Sequence, residues 1–394
     1  MIQETSDKYT DLKRKQNTAL IHGGIDGDER TGSVNVPVYQ TATFEQEFLG
    51  HHKGYEYSRT GNPTREALEK LIAELEDGND GFAFASGMAA ITTVLFLFFS
   101  VDKVLISNNV YGGTFRILDQ VFKRFGLNYG VVNTSDLHEV EENLTPDVKA
   151  IIVETPANPL LTITDIAEVS TLAKGKGILT IVDNTFMTPY LQQPLHLGAD
   201  IVIHSATKYL AGHSDVIAGL VVVKRADLAE RIRFLQNAAG GILQPWDSFL
   251  TIRGIKTLGV RMERHLEGAE YVARFLQNHP AVDTLYFPGL SDFPGYEIHR
   301  KQAAGAGAML SFILNDKYNI ERFFQNTGIL TLAESLGGVE SLINQPASMT
   351  HASIPIHLRN KVGITDRLIR ISVGIEDKRD IVASLSNAFD FARM

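Results

Sequence analysis

One lysine, Lys208, has the sequence surroundings of a catalytic amine. It lies in the segment His204-Ser205-Ala206-Thr207-Lys208-Tyr209, directly after an apolar run, and two hydroxyl side chains precede it. A lone lysine is usually a solvated surface charge. A lysine that follows a buried strand loses hydration, so its pKa falls and the neutral amine becomes available. Such an amine can condense with the aldehyde of a cofactor.

An acid and a candidate phosphate-binding turn accompany this lysine. Asp183 ends the apolar run Ile178 to Asp183. Its carboxylate either caps a turn or faces a pyridine nitrogen, where an ion pair makes the ring an electron sink. Ser86-Gly87-Met88 is either an ordinary strand–turn–helix or a helix N-terminus that binds phosphate, and Ser205 and Thr207 would add hydroxyl donors. A lysine, an acid and phosphate-sized donors predict pyridoxal 5'-phosphate (PLP) as the cofactor.

Three other side chains are candidates with open alternatives. Arg59, in Tyr57-Ser58-Arg59, offers a bidentate fork to a phosphate dianion, but nothing local distinguishes it from a surface arginine. Tyr111, at a loop-to-helix junction, can stack on a planar cofactor. Arg370 interrupts an apolar strand, so it lies on a solvated face or pairs with a carboxylate in a pocket. The histidine spacing does not indicate a metal site.

The elements that must position these residues follow an alternating pattern. Short apolar runs, which look buried on both faces, alternate with helical patterns; this is typical of a mostly parallel sheet covered by helices in an α/β fold. Ligands collect at the carboxyl ends of such strands, where Asp183 and Ser205 fall. The runs are Gly81–Ala85, Val104–Ser107, Tyr129–Val132, Ala150–Glu154, Ile178–Asp183, Asp200–His204 and Gly219–Val223.

Three regions are predicted along the chain. Residues 1–58 form an irregular arm, 59–250 a large α/β domain and 251–394 a smaller α+β domain. Asn62-Pro63 predicts the start of the first domain helix, with Asn62 as N-cap. Residues 226–275 are predicted to form long helices. Later strands are predicted at Thr284–Tyr286, Met309–Ile313 and Leu368–Val373.

Composition limits the partners and the location. The chain of 394 residues has a net charge of −9 and no cysteine, so nucleic acid and anionic membranes are poor partners, and disulfides and thiolate chemistry are excluded. Met1 to Gln16 is too polar for a secretory signal. The longest apolar run, Met88 to Phe99, is too short to span a bilayer. A cytoplasmic location is the expectation.

Taken together, these segments resemble the cysteine/methionine-metabolism family of PLP enzymes, the trans-sulfuration enzymes. The resemblance covers nearly the whole chain and implies PLP-dependent transferase fold type I, with a seven-stranded sheet and a smaller C-terminal domain. The segments that carry it, in order, are His22-Gly23-Gly24, Tyr57-Ser58-Arg59, Asn62-Pro63-Thr64, Ser86 to Ala90, Glu154 to Pro159, Val182 to Thr185, His204 to Tyr209, Glu334 to Gly338 and Arg370 to Glu376.

The resemblance also implies roles. Lys208 matches the lysine that forms the Schiff base, and Asp183 matches the partner of the pyridine nitrogen. Tyr111 matches the tyrosine that stacks on the cofactor ring and acts as a catalytic acid. Tyr57 and Arg59 match residues that reach the phosphate of a neighbouring subunit, in a homotetramer built as a dimer of dimers. Further cofactor-binding residues are Gly87, Met88, Thr185, Ser205 and Thr207. The residues matched to the pocket for the α-carboxylate are Asn158, Ser335 and Arg370.

Two acids, Glu56 and Glu334, bear on the substrate. They match positions that face the distal end of cystathionine, whose second ammonium two carboxylates would favour, although Glu56 is alternatively a solvated arm residue. We therefore expect elimination at Cγ of cystathionine, with elimination at Cβ as a side activity. Alternatives are replacement at Cγ of an acylated homoserine by cysteine, or a non-catalytic PLP-binding relative. Retention of Lys208 and Asp183 argues against the last. A methionine-cleaving site would require an apolar distal end and a cysteine near Tyr111.

Overall fold

The computed structural model describes residues 15–28, 30–350, 356, 359 and 362–394. Most of the polar segment Met1 to Gln16, and so much of the predicted arm, therefore lies outside the described residues. In the remainder of the arm, residues 15–22 are helical. A short hairpin of β1 (Gln46–Phe48) and β2 (His51–His52) follows.

A seven-stranded sheet forms the centre of the large domain, and it confirms the predicted α/β class. Its order is β3-β9-β8-β7-β6-β4-β5, and all strands run parallel except β9, which is antiparallel to β3 and β8. Every predicted apolar run became a strand; six of the seven are largely buried on both faces, whereas the edge strand exposes Asn128 and Val131. The strands are β3 (Asp80–Phe84), β4 (Lys103–Ser107), β5 (Asn128–Val132), β6 (Val148–Glu154), β7 (Leu179–Asp183), β8 (Ile201–Ser205) and β9 (Gly219–Val223).

Helices cover both faces of this sheet. The first begins as predicted: Asn62 accepts a hydrogen bond from the backbone N–H of Thr64, and Pro63 occupies the first turn. The helices of this part of the chain are α1 (Pro63–Leu75), α2 (Gly87–Leu95), α3 (Gly112–Gln120), α4 (Leu137–Asn143), α5 (Ile166–Gly175), α6 (Thr188–Leu191), α7 (Ala226–Ala239), α8 (Pro245–Ile255) and α9 (Leu258–Gln277). The apolar run from Met88 became α2, and residues 226–277 hold the predicted long helices.

The C-terminal part contains a second, five-stranded sheet in the order β10-β11-β14-β13-β12. The strands are β10 (Val282–Tyr286), β11 (Met309–Leu314), β12 (Thr331–Leu332), β13 (Leu342–Asn344) and β14 (Leu368–Ser372). Helices α10 (Tyr296–Gln302), α11 (Ile320–Gln325) and α12 (Lys378–Ala392) accompany them. The predicted division at residue 250 falls inside α8, and the domain bounds stay predictions. Over the described ranges, no helix is long and apolar enough to cross a membrane.

Candidate active site

A cavity of about 560 Å³ opens at the carboxyl ends of the central strands and gathers most of the predicted site residues. Because neighbouring parallel strands end at the same edge of the sheet, side chains that follow β6, β7 and β8 meet there. The C-terminal part of the chain closes the other side of the cavity. The predicted residues that line it are Gly87, Met88, Tyr111, Asn158, Asp183, Thr185, Ser205, Thr207, Lys208, Glu334, Ser335 and Arg370.

Lys208 lies at the wall of this cavity with its amine inside. Its Nζ donates a hydrogen bond to Oγ of Ser335 at 2.8 Å. Burial, assisted by the nearby Arg370 guanidinium and opposed by the Glu334 carboxylate, lowers the pKa of Lys208 to about 8. A large fraction of the amine is therefore neutral near pH 8, as a nucleophile and a base require.

Asp183 presents a carboxylate to the cavity. Its Oδ1 accepts hydrogen bonds from the backbone N–H of Thr185 at 3.0 Å and from the Thr185 hydroxyl. Burial raises the pKa of Asp183, and the bonds from Thr185 oppose that rise. Within the described part of the chain Asp183 forms no salt bridge, so a cationic ring nitrogen is a group that this position fits.

The opposite end of the cavity has donors suited to a phosphate. Ser86 caps α2 and accepts from the N–H of Ala89, and the first N–H groups of the helix, at Gly87 and Met88, have no acceptor within it. A Cβ added at Gly87 would lie 3.0 Å from Cβ of Ser205, so a larger residue would fill the space beside this helix end. The Thr207 hydroxyl is partly engaged, since it contacts the backbone of Ala218.

Arg370 is set for a carboxylate. It is 2% exposed and donates to Oδ1 of Asn158 at 2.8 Å and to the carbonyl of Ser335 at 3.0 Å. Its Nε has no partner in the described structure. Burial lowers the pKa of Arg370 to about 10, which leaves it cationic at neutral pH. A buried guanidinium with an unused N–H fits an anionic substrate group, which settles the mid-strand alternative in favour of a pocket.

Two charged cavity residues received no role from the sequence, Glu154 and Arg116. Glu154 ends β6 in register with Asp183, and its two carboxylate oxygens accept from the N–H groups of Tyr111 at 3.0 Å and Asn158 at 3.2 Å. Burial and the neighbouring Asp183 carboxylate raise the pKa of Glu154 to about 8. An acid at the end of a buried strand was the available signal for Glu154. Arg116, on the surface of α3, carried none.

Three predicted residues are not brought to the cavity: Glu56, Tyr57 and Arg59. All are exposed. Glu56 accepts a hydrogen bond from Gln46, so within one chain it is a residue of the arm surface, and its role at the substrate stays a prediction. Arg59 lies over the ring of Tyr57 at 5.6 Å. A single chain therefore leaves the phosphate end of the cavity without its expected arginine.

We expect the Glu154→Gln substitution to lower kcat/KM about 10-fold, mainly through KM. The amide has one acceptor oxygen, so either Tyr111 or Asn158 loses the acceptor of its N–H, a loss worth about 1–3 kcal/mol in a buried site. Steady-state kinetics measures it, with the exposed Glu142→Gln as the matched control. Kinetics within twofold of the unsubstituted protein would contradict a positioning role for Glu154.

The parallel sheet, the buried lysine, the unpaired acid and the phosphate-sized helix end define a PLP-dependent enzyme. The chain matches the family described as "Cys/Met metabolism PLP-dependent enzyme" over residues 17–390 and belongs to it. It is 56% identical to cystathionine gamma-lyase of Bacillus subtilis (95% of this chain, 99% of the relative) and 54% identical to cystathionine beta-lyase of Lactococcus lactis (95% and 98%). The crystal structure of cystathionine gamma-lyase from Lactobacillus plantarum, complexed with L-serine, superposes with a TM-score of 0.94 at 52% identity, covering 96% of this chain and 99% of that one. These matches confirm the resemblance and fold type I.

Proposed function

We propose that the protein cleaves cystathionine at Cγ: cystathionine and water give cysteine, 2-oxobutanoate and ammonia. The observation that carries the proposal is the distribution of charge in the cavity. Lys208, Asp183 and Arg370 lie at the buried end, whereas Glu334 and Arg116 line it from exposed positions. Cystathionine has an ammonium and a carboxylate at each end, which this arrangement matches.

The substrate would be held at both ends. Arg370, with its unused Nε, and Asn158 receive the α-carboxylate next to the reacting carbons. At the mouth, the Glu334 carboxylate attracts the distal ammonium and the Arg116 guanidinium the distal carboxylate. Because Glu334 and Arg116 are solvated, each contributes less than Arg370 does, and they act more on substrate choice than on the chemical step.

The residues assigned to the cofactor are Asp183 and Thr185 at the ring nitrogen, Tyr111 at the ring face, and Gly87, Met88, Ser205 and Thr207 at the phosphate. When bound, PLP supplies an electron sink that stabilises negative charge at the substrate α-carbon. Asp183 holds the ring nitrogen protonated. Met88 contributes through its backbone N–H and not through its side chain.

Lys208 performs the proton transfers. Its neutral amine would take the proton from Cα, give that proton up to the bound cofactor, and then, neutral again, take a proton from Cβ. The Ser335 hydroxyl, 2.8 Å from Nζ, orients the amine. Tyr111, whose backbone is held by Glu154, gives its phenolic proton to the departing sulfur. The distal half of the substrate then leaves as cysteine.

Cleavage at Cβ, which gives homocysteine, pyruvate and ammonia, is proposed as a side activity. It uses the same Lys208 proton transfer at Cα but expels sulfur directly from Cβ. The similarity to relatives named as gamma-lyases and to relatives named as beta-lyases, at 56% and 54% identity, supports both outcomes in one cavity. Synthesis of cystathionine from an acylated homoserine is the second candidate, since Lys208 and Glu334 serve that reaction equally.

The keto acid formed from cystathionine alone tests the assignment. We expect 2-oxobutanoate to exceed pyruvate, because Lys208 can move protons at both Cα and Cβ. Chromatography of the derivatised keto acids measures the ratio, with enzyme-free cystathionine as the control. Pyruvate as the dominant product would make the protein a beta-lyase. Turnover that requires an acylated homoserine would make it a synthase.

Each site is proposed to need a second copy of this chain, in a homotetramer of two such dimers. Buried Arg65 donates to the carbonyls of Ser58 and Arg59 at 2.7 and 3.2 Å, so the backbone between Tyr57 and Arg59 is fixed while both side chains project outward. A fixed segment with an exposed arginine suits delivery of a phosphate ligand to a neighbour. The cytoplasmic location and the three-region division stay predictions.

A further inference from the structure

A cluster of polar side chains lies buried beneath the sheet, on the face opposite the cavity. Glu76 follows the end of α1, and its Oε1 accepts from Nε2 of His204 at 2.7 Å and from Nδ2 of Asn184 at 2.8 Å. Glu76, Asn184, His204 and Gln192 are all 0% exposed. No step assigned to the enzyme uses any of these side chains, although two of them are ionisable.

This cluster is attached to the strand ends that carry the cofactor site. His204 directly precedes Ser205, and Asn184 directly follows Asp183. Because successive side chains of a strand point to opposite faces, His204 points away from the cavity that Ser205 lines. Gln192 joins the ends of β6 and β7, since its Nε2 donates to the carbonyl of Thr155 at 3.3 Å and to Oδ1 of Asn184 at 3.0 Å.

The histidine depends on this one contact. Nδ1 of His204 and Oε2 of Glu76 have no hydrogen-bond partner in the described parts of the chain. The polar stabilisation of the imidazole side chain therefore comes from the Glu76 carboxylate alone. A carboxylate removed from water is favoured as an anion when a cation contacts it, and an imidazolium is the cation available here.

We propose that Glu76 holds His204 as an imidazolium, which in turn keeps Asp183 ionised for the cofactor ring nitrogen. Negative and positive groups then alternate from Glu76 through His204 and Asp183 to the ring. Both Glu76 and His204 are positioning residues, since neither touches the cofactor. The proposal rests on the use of PLP that the family shares and not on which carbon–sulfur bond is cleaved.

The groups around Asp183 show why such support is needed. Burial raises the pKa of Asp183, Thr185 lowers it by hydrogen bonding, and His204 lowers it by its charge. Glu154 on β6, in register with Asp183, is a second acid, and burial together with Asp183 raises its pKa to about 8, so it is mostly protonated at pH 7. The cations that line the cavity are Lys208 after β8, Arg370 on β14 and the exposed Arg116 on α3. Among the described residues, His204 is the group beneath the sheet whose charge acts on this carboxylate.

The PLP dissociation constants of Glu76→Gln and His204→Gln test the proposal without any substrate. In Glu76→Gln the amide side chain has the shape of glutamate and keeps an oxygen that accepts from His204 and Asn184, but it lacks the charge. We expect each substitution to weaken PLP binding about 10-fold near pH 7, which corresponds to about 1.4 kcal/mol. His299→Gln is the matched control, because His299 is also buried and bonds only a backbone carbonyl, that of Gly305.

The pH dependence separates charge from shape. Without the imidazolium, the pKa of Asp183 rises further, so Asp183 is protonated at low pH and regains its charge as the pH increases. The ratio of variant to unsubstituted dissociation constants should therefore fall as the pH increases through the raised pKa of Asp183. A purely structural defect gives a ratio that does not change with pH, and that result would overturn the proposal.

The double variant tests whether Glu76 acts through His204. If Glu76 acts through His204, Glu76→Gln/His204→Gln binds PLP no more weakly than the worse single variant. Losses that add would overturn the proposal, and so would unchanged binding in both single variants. Thermal unfolding of the cofactor-free proteins shows whether each variant has folded. If Glu76→Gln does not fold, Glu76→Asp replaces it; this variant keeps the negative charge and should retain the pH profile of the unsubstituted protein. An unsubstituted protein that binds no PLP would instead refute the cofactor assignment.

Discussion

Lys208→Ala should abolish turnover of cystathionine, with kcat reduced by about 10²- to 10⁴-fold or more, the range attributed to a positioned acid–base group. The loss is large because one amine both bonds the cofactor aldehyde and moves the protons at Cα and Cβ. PLP should still bind, because Asp183 and the N–H groups of α2 do not depend on this side chain, although the binding should be weaker. Stopped-flow and steady-state assays of keto acid release measure the rate, and absorbance measures the bound cofactor.

Two companion variants make this result specific. Lys208→Arg retains the positive charge near Ser335 but has no neutral amine at accessible pH, so it should be as inactive as Lys208→Ala. Lys149→Ala, which removes an exposed lysine of β6, should have no effect on turnover. If Lys208→Arg kept a tenth of the activity or more, a role for the neutral amine would be refuted.

Much of the large domain followed from local patterns. Runs such as Ile178 to Asp183 are apolar on both faces, and only a strand covered by helices on both sides buries such a run. Because parallel strands end at one edge of the sheet, the sequence predicts Asp183 and Ser205 at the carboxyl ends where ligands collect. Strands β12 and β13 were missed because two or three residues hold too little periodicity to distinguish them from a loop.

The site residues also divide into those whose position a local sequence pattern predicts and those whose position depends on tertiary packing. Asp183, Ser205 and Lys208 follow strands, so their sequence neighbours predict where they lie. Arg116 lies on a helix surface and reaches the cavity only because α3 packs beside the sheet, a tertiary fact with no local signal. Glu56 resembles a substrate residue, yet in a single chain it is on the arm, because resemblance identifies a position and not the chain whose cavity it serves.

Stability and chemistry make opposite demands on this sheet edge. Burial of Asp183 and Glu154 in register places two carboxyl groups side by side at an energetic cost, and burial also lowers the pKa of Lys208 to about 8, so that neutral amine becomes available. The cost is offset by backbone N–H donors, by Arg370 and, under our proposal, by His204. The same low-dielectric surroundings thus give the site both its reactive amine and its need for buried counter-charges.

Arg59→Ala should weaken PLP binding and lower activity severely in every site, because it removes the bidentate phosphate contact proposed to come from the neighbouring chain. Co-expression with Lys208→Ala chains should then restore activity. Random pairing makes about half of the dimers mixed, and each mixed dimer has one site with both native residues, so about a quarter of the unsubstituted activity should return. Affinity tags on each chain isolate the mixed dimer for assay.

The matched control for this experiment places both substitutions in one chain. When Arg59→Ala/Lys208→Ala chains are co-expressed with unsubstituted chains, every site of a mixed dimer lacks one of the two residues, so the purified mixed dimer should be nearly inactive. If Arg59 served its own chain, the outcomes would reverse: this second mixed dimer would keep about half of the activity, and the first would have none. Since Arg65 holds Arg59 outside the cavity of its own chain, we expect activity in the first mixed dimer and not in the second.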